Sequence, residues 1–124
     1  MGAIAGAGAL YSTVDDLLSY AGAQLGDTAT PIDAAIALTQ QISYRTADES
    51  VATGLGWFRI RLAPDRPPVY VHDGGTGGFS SFIAFSHAGR LAVVLLANVG
   101  DALQNSALFF ALVDALQAPG ARRS

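Results

Sequence analysis

The sequence predicts an α+β protein in which helices flank an antiparallel β-meander of about four strands. An amphipathic segment comes first, several short apolar or alternating segments with short connections follow, and a last apolar segment has helical length. The chain has 124 residues and is 51% hydrophobic, which suits one domain with its own core. Residues 1–124 are therefore predicted to form a single domain.

The first helix is predicted to begin after Ser12 or Thr13 and to end near Gly26. A hydroxyl at its start can accept a hydrogen bond from the first turn, and Asp15 and Asp16 favour the positive end of the helix dipole. Apolar residues at helical spacing predict one buried stripe. They are Val14, Leu17, Leu18, Ala21 and Leu25.

Two further helices are predicted, one on each side of the strand region. The earlier one begins with Thr30 as N-cap and Pro31 at the first helical position. Its inward face is predicted to consist of Ile32, Ala35 and Ile36. The last helix is predicted from about Asp101 to Gln117, where Leu, Phe and Ala dominate.

The strand region is predicted to start near Trp57, after a polar and irregular segment at 43–53. Apolar residues alternate with Arg59 and Arg61, which is typical of a strand with one wet face and favours an edge position. Three prolines within 63–68 predict a turn into a short strand at 69–72. Glycines at 74, 75, 77 and 78 are predicted to break that strand.

A hairpin is predicted for the next two segments, at 80–86 and 91–97. The four residues between them form a connection short enough to require antiparallel pairing. Every residue of 91–97 is apolar, which is typical of a strand that is covered on both faces. The sequence therefore predicts helices on both sides of the sheet.

Composition excludes several classes of function. The net charge of -3 and only seven basic residues argue against a nucleic-acid surface. The absence of cysteine excludes disulfides and cysteine-based metal or nucleophile sites, and no metal or other cofactor is predicted. The longest apolar runs are too short to span a bilayer.

The glycine-rich segment His72-Asp73-Gly74-Gly75-Thr76-Gly77-Gly78-Phe79 carries the clearest functional signal. It resembles the third motif of class C β-lactamases and related penicillin-binding proteins and esterases. In those proteins, Lys-Thr-Gly or His-x-Gly precedes a turn similar to Thr-Gly-Gly-Phe. Three further segments resemble the family in the same order: 8–17 (GALYSTVDDL), 54–57 (GLGW) and 95–98 (LLAN). The resemblance implies the C-terminal part of a β-lactamase/transpeptidase-like fold.

This resemblance implies a serine hydrolase that acts on small acyl substrates, namely esters, amides or β-lactams. The N–H of Gly75 would be one of two oxyanion donors, and Gly74 would leave room for a helix behind the strand. His72 stands where many relatives carry Lys, and an imidazole in ordinary surroundings is mostly uncharged at neutral pH, so it would attract a substrate carboxylate weakly. This departure favours an esterase or peptidase. The positions implied to contact substrate are Asp73, Gly74, Thr76 and Gly77.

The two earlier motifs of the family do not occur in these 124 residues. Ser-x-x-Lys is absent, and none of the four tyrosines begins Tyr-x-Asn. The resemblance therefore assigns the nucleophile and its base to an N-terminal part of the fold, and the isolated chain is expected to be inactive. Relatives commonly work outside the cytoplasm, so the resemblance suggests a periplasmic or secreted location.

Non-enzymatic interpretations stay open at this stage. His72 can be a half-exposed strand histidine, Asp73 is predicted on the opposite face from His72, and the glycines can serve turn geometry alone. The family fold is also used without chemistry, so the alternative is a noncatalytic interaction or ligand-binding module.

The strand at Leu91–Ala97 predicts a further partner. In the family fold the matching strand lies mid-sheet and pairs with a strand from the N-terminal part. Without that strand its edge would be open, and an open apolar edge recruits another chain. We therefore expect a homo-oligomer, or complementation by an N-terminal part, through this edge.

Overall fold

The computed structural model describes residues 5–100, 103 and 106–118, which contain an antiparallel sheet with helices. The helices are α1 (Ala5–Gly8), α2 (Val14–Leu25), α3 (Asp33–Thr39) and α4 (Ala107–Gln117). The strands are β1 (Tyr44–Arg45), β2 (Val51–Thr53), β3 (Phe58–Ile60), β4 (Val69–Thr76), β5 (Phe79–Ser86) and β6 (Leu91–Ala97). Neighbouring strands follow sequence order from β1 to β6, so the predicted α+β meander is confirmed.

The sheet contains two more strands than the sequence predicted, because β1 and β2 lie in the segment expected to be irregular. They are 2 and 3 residues long, too short to show a period. The turn between them is held by Asp48, whose Oδ1 accepts hydrogen bonds from the side chains of Thr46 and Ser50 at 2.6 and 2.9 Å. Because β2 pairs with β3, the predicted edge position of β3 is wrong.

The glycine-rich segment continues β4 instead of breaking it. Gly74 and Gly75 stay in the ladder, opposite Ser81 and Ser80, and the turn comes only at 77–78. Gly78 has a φ of 88°, which a glycine adopts without steric cost. The prediction that all four glycines end the strand is therefore wrong for the first two, because a paired neighbouring strand overrides their weak strand preference.

The predicted limits of α2 are confirmed. Thr13 is the N-cap, and its Oγ1 accepts a hydrogen bond from the N–H of Asp16 at 3.2 Å. Gly26 ends the helix with a φ of 75°. Both ends therefore follow from local chemistry that the sequence shows.

The start of α3 differs from the prediction. Asp33 Oδ1 accepts hydrogen bonds from the N–H and the hydroxyl of Thr30, at 3.0 and 2.6 Å. These bonds make a turn ahead of the helix, so the N-cap is Ile32 and not Thr30. Ile36 is buried, whereas Ile32 and Ala35 are exposed, so only Ile36 of the predicted inward face is confirmed.

The last helix begins later than predicted. Ser106 is its N-cap and accepts a hydrogen bond from the N–H of Phe109 at 3.2 Å. The predicted start at Asp101 lies outside the described residues, while the predicted end at Gln117 is confirmed. In the described part of the chain, no helix is long and apolar enough to cross a membrane.

Hydrophobic clusters lie on both faces of the sheet, as the apolar strands predicted. On the α4 side, the buried residues are Val69, Val71, Phe82, Ala84, Leu103, Phe109, Val113 and Leu116. On the α2 side, they are Leu25, Trp57 and Phe85. The coverage of β6 is less complete than expected, because Leu91 and Leu96 are 48% and 42% exposed.

A polar network ties the β5–β6 hairpin to the helices. His87 Nε2 donates to Gln40 Oε1 at 2.8 Å, since the amide nitrogen of Gln40 already donates to Gln24 Oε1 at 2.8 Å. Gln24 is buried, which makes these bonds costly to lose. Burial lowers the pKa of His87, and the charge of Arg90 lowers it further.

The network predicts a pH-dependent stability. The pKa of His87 is below its ordinary value of 6.5, so below pH 6.5 the unfolded chain binds more protons than the folded chain. The free energy of unfolding should therefore fall as the pH drops through 6.5 towards the folded-state value. Urea unfolding of wild type, His87→Gln and His72→Gln across this range tests it. The decrease should be smaller in His87→Gln and persist in His72→Gln; equal decreases in both variants would contradict the assignment.

The close approach of Gly54 to backbone gives a second prediction. A Cβ there would lie 2.5 Å from the carbonyl oxygen of Thr39 and 2.8 Å from that of Gln41. Gly54→Ala should lower the free energy of unfolding by about 1–3 kcal/mol because neither carbonyl can move freely. Gly22→Ala is the control, since its Cβ meets no atom within 4 Å and alanine favours the helix by up to about 1 kcal/mol. Similar urea midpoints for the two variants would contradict this account.

Candidate functional site

A cavity of about 680 Å³ opens at the turn end of the β4–β5 hairpin. The segment from Ala7 to Ser12 forms one wall, and the end of β6 contributes another. Five of the site residues implied by the sequence line it: His72, Asp73, Gly74, Gly75 and Thr76. The sixth, Gly77, lies in the exposed turn outside the lining.

The wall formed by β4 is a free strand edge. β3 pairs with β4 only from Val69 to Val71, whereas β5 pairs with β4 as far as Thr76. The reason is the tight turn at 54–57, where the N–H of Gly54 donates to the carbonyl of Trp57 and turns the chain away. Among the described residues, 72–76 therefore have a strand neighbour on one side only.

The direction of each amide on this edge follows from the pattern of the ladders. The N–H of Arg61 donates to the carbonyl of Ser50 at 2.8 Å, so Arg61 directs its backbone groups towards the β2 side. Successive residues of a strand direct these groups to opposite sides, so Phe58 and Ile60 direct theirs towards β4. Their partners on β4, Val71 and Val69, point back at β3.

Alternation along β4 carries this direction into the cavity wall. Asp73 and Gly75 present N–H and C=O on the β3 side, beyond the point where β3 ends. His72, Gly74 and Thr76 alternate with these two residues and direct their backbone groups to β5. This assignment agrees with the position of Thr76 and Phe79, which face each other across the two-residue turn. In the described part of the chain, no group accepts a hydrogen bond from the N–H of Gly75.

Gly74 faces the neighbouring strand closely. A Cβ at this position would lie 3.0 Å from Ser81 Oγ, and that hydroxyl donates to the carbonyl of Gly74 at 3.4 Å. A side chain at position 74 would therefore meet β5 first. The resemblance had implied that Gly74 leaves room for a helix.

His72 and Asp73 leave the strand on opposite faces, as the alternation predicted. Their cross-strand partners are Ile83, which packs with the α2-side cluster, and Phe82, which belongs to the α4-side cluster. His72 is exposed, and its ring centroid lies 6.3 Å from that of Phe58. Asp73 is half-buried. Because the two side chains diverge, they do not form an ion pair.

The serine hydroxyls around the cavity donate to backbone carbonyls. Ser80 Oγ donates to Val99 O, Ser81 Oγ to Gly74 O, and Ser12 Oγ to Thr13 O. In the described part of the chain, neither Ser12 nor Ser81 hydrogen-bonds to a basic side chain, so neither has the base that a serine nucleophile requires. The described residues also contain no group of three His, Cys, Asp or Glu that could hold a metal ion.

Sequence reasoning missed two features that shape this site. The N-terminal segment from Ala7 to Tyr11 lines the cavity, although only a family resemblance was recognised there. The free edge of β4 was also missed, because it depends on where β3 turns away. The GLGW segment at 54–57 was the available signal, since Gly54 and Trp57 form that turn.

A comparison with protein families supports the resemblance carried by these residues. The family model described as Beta-lactamase matches residues 1–115. No curated protein matches the chain significantly. Because the family match spans most of the sequence, and the described residues form an antiparallel sheet with helices on both faces, this chain belongs to the β-lactamase family.

Proposed function

We propose that this chain supplies the third-motif strand and one oxyanion donor of a serine hydrolase that transfers acyl groups from esters, amides or β-lactams. The observation that supports the proposal is the free edge of β4 beside the cavity, where the N–H of Gly75 is directed outward. Acyl transfer needs donors that are fixed where negative charge develops, and a strand amide meets this need.

The ladder holds this donor in place before substrate arrives. Gly74 and Thr76, on either side of Gly75, bond to β5, so the peptide units around the outward N–H are already ordered. A donor of this kind needs little reorganisation when the carbonyl oxygen of a substrate becomes an oxyanion. The exposed imidazole of His72 lies three residues before Gly75 and supplies hydrogen bonding near the same edge.

The proposal assigns the nucleophile and its base to another polypeptide segment. All seven basic residues of the chain are arginines, so no lysine is present to activate a serine. The 124-residue chain alone should therefore have no acyl-transfer activity. Because His72 provides a weaker attraction for carboxylates than a lysine would, esters and amides suit the site better than β-lactams.

Removal of the Gly75 N–H tests the proposed donor. Proline lacks an N–H, and at a free edge it removes no ladder hydrogen bond. When the chain is joined to a segment with Ser-x-x-Lys and Tyr-x-Asn, Gly75→Pro should lower kcat for a p-nitrophenyl ester by about 10²–10³. Circular dichroism should show an unchanged fold.

Two controls accompany this measurement. Gly74→Pro removes an N–H that bonds to β5, so it should destabilise the hairpin, which a lower urea midpoint would report. The isolated 124-residue chain should neither hydrolyse the ester nor be labelled by a fluorescent penicillin. Full activity in Gly75→Pro, or a labelled serine in the isolated chain, would refute the proposal. The alternative, a noncatalytic binding module, predicts no acyl transfer even after complementation.

We also propose that β6 pairs with a strand of another polypeptide segment. In the described part of the chain, β6 ends the sheet, and its Ala92, Val94 and Leu96 direct their backbone groups away from β5. This edge is uncharged and apolar, so it lacks the features that keep edge strands from pairing. A second copy can occupy it in antiparallel register, as can an N-terminal part of the fold.

Proline substitution tests this edge as well. The isolated chain should form dimers or larger assemblies, and Val94→Pro should shift it to monomer, because Val94 directs its N–H outward. Val93→Pro is the matched control, since it removes a bond to β5 and should lower stability. Light scattering after size exclusion measures both. A wild-type chain that stays monomeric at high concentration would contradict the proposal.

A further inference from the structure

Three arginines share one face of the sheet, at the side of the sheet opposite β6. Arg45 and Arg59 are both cross-strand partners of Ala52, so the three residues form one row across β1, β2 and β3. Arg61 follows Arg59 by two residues in the same ladder, so strand alternation places its side chain on the same face. The row continues to Tyr70, which packs with the α2-side cluster. All three arginines therefore lie on the α2 side of the sheet.

These arginines have no internal partner. In the described part of the chain, Arg45, Arg59 and Arg61 make no ion pair and no side-chain hydrogen bond. The other two described arginines, Arg66 and Arg90, are each paired with an aspartate. The chain as a whole has a net charge of -3, yet this part of its surface holds three uncompensated cations.

The guanidinium of Arg61 is held against the protein although nothing accepts its hydrogen bonds. Its Nε is buried and has no hydrogen-bond partner in the described part of the chain. A buried donor without an acceptor destabilises a fold, and a charged one does so more strongly. The terminal nitrogens of Arg61 are not buried in this way, so an anion can reach them. Arg59 beside it is half-buried as well.

The carboxylates of the adjacent turn do not compensate these cations. The turn at 46–50 adjoins Arg61, whose N–H donates to the carbonyl of Ser50. In this turn, Asp48 Oδ1 accepts hydrogen bonds from the hydroxyls of Thr46 and Ser50 at 2.6 and 2.9 Å. Glu49 forms no ion pair with a described residue. Neither carboxylate binds a guanidinium, so the donors stay available to a ligand.

We infer that Arg45, Arg59 and Arg61 form a binding site for phosphate compounds with at least two negative charges, such as those with a pyrophosphate group. A guanidinium binds phosphate oxygens through two parallel N–H donors. Cα atoms two residues apart on a strand are separated by about 7 Å, and those two strands apart by about 10 Å. Cations at this spacing suit a ligand with several charged oxygens better than a single carboxylate. The site is separate from the cavity at β4, and it does not depend on the proposed acyl transfer.

The test is a titration of the 124-residue chain with sodium pyrophosphate or sodium acetate at equal ionic strength, followed through the amide NMR signals of β1 to β3. Pyrophosphate should bind at least about tenfold more tightly than acetate, and added salt should weaken its binding. Arg59→Gln and Arg61→Gln should each weaken it about fivefold, the effect of one charge contact near 4 Å in high dielectric. Arg61→Lys keeps the charge and should weaken it less. Arg45 is exposed, so Arg45→Gln tests the same cluster with little effect on packing.

Arg66→Gln is the matched control, because it changes the net charge equally and Arg66 pairs with Asp114 of α4, the helix on the other face of the sheet. It should leave the affinity for pyrophosphate unchanged, and urea midpoints should show that every variant is folded. The absence of saturable pyrophosphate binding, or equal affinity for acetate, would overturn the inference. So would an equal loss in Arg66→Gln, or signal changes confined to residues 72–76 at the cavity.

Discussion

The antiparallel pairing of β4 with β5 is the interaction on which the candidate site depends. The pair continues five residues beyond the last residue that β3 contacts, from His72 to Thr76. Pairing on one side orders the strand, and the absence of pairing on the other leaves its backbone groups available. A strand paired on both sides would have no free N–H, and an unpaired loop would have no fixed one.

The hydrophobic clusters hold this hairpin from both faces. Phe82 packs with α4 residues on one side, and Phe85 packs with Trp57 and Leu25 on the other. The ring of Phe85 stacks on Tyr70 at 5.0 Å and meets Trp57 edge-on at 4.9 Å. Because β5 is anchored by aromatic residues on both sides, the hairpin end extends towards the cavity from a rigid base.

The sequence predicted correctly those features of the fold that depend on interactions between residues close in the chain, such as the ends of α2. Thr13 and Gly26 set the ends of α2 through a cap and a positive φ, and both effects act within a few residues. The prediction failed for Thr30, because its hydroxyl donates to Asp33 instead of capping the helix. It also failed for Gly74 and Gly75, where pairing with β5 outweighs the low strand preference of glycine. Five of the six residues that the resemblance implied line the cavity. The free edge beside them was not predicted, since it requires the position of β3.

The two free edges of the sheet have the same backbone geometry but different chemistry. On β4, Gly74 and Gly75 border a cavity, so a small molecule reaches the backbone there without meeting bulky side chains at these two positions. On β6, the outward amides of Ala92, Val94 and Leu96 alternate with Val93 and Leu95, whose side chains pack on the α4-side cluster. The neighbour that suits this edge is therefore another apolar strand. The ladder therefore fixes which amides are free, and the side chains around them determine whether a ligand or a strand is the suitable partner.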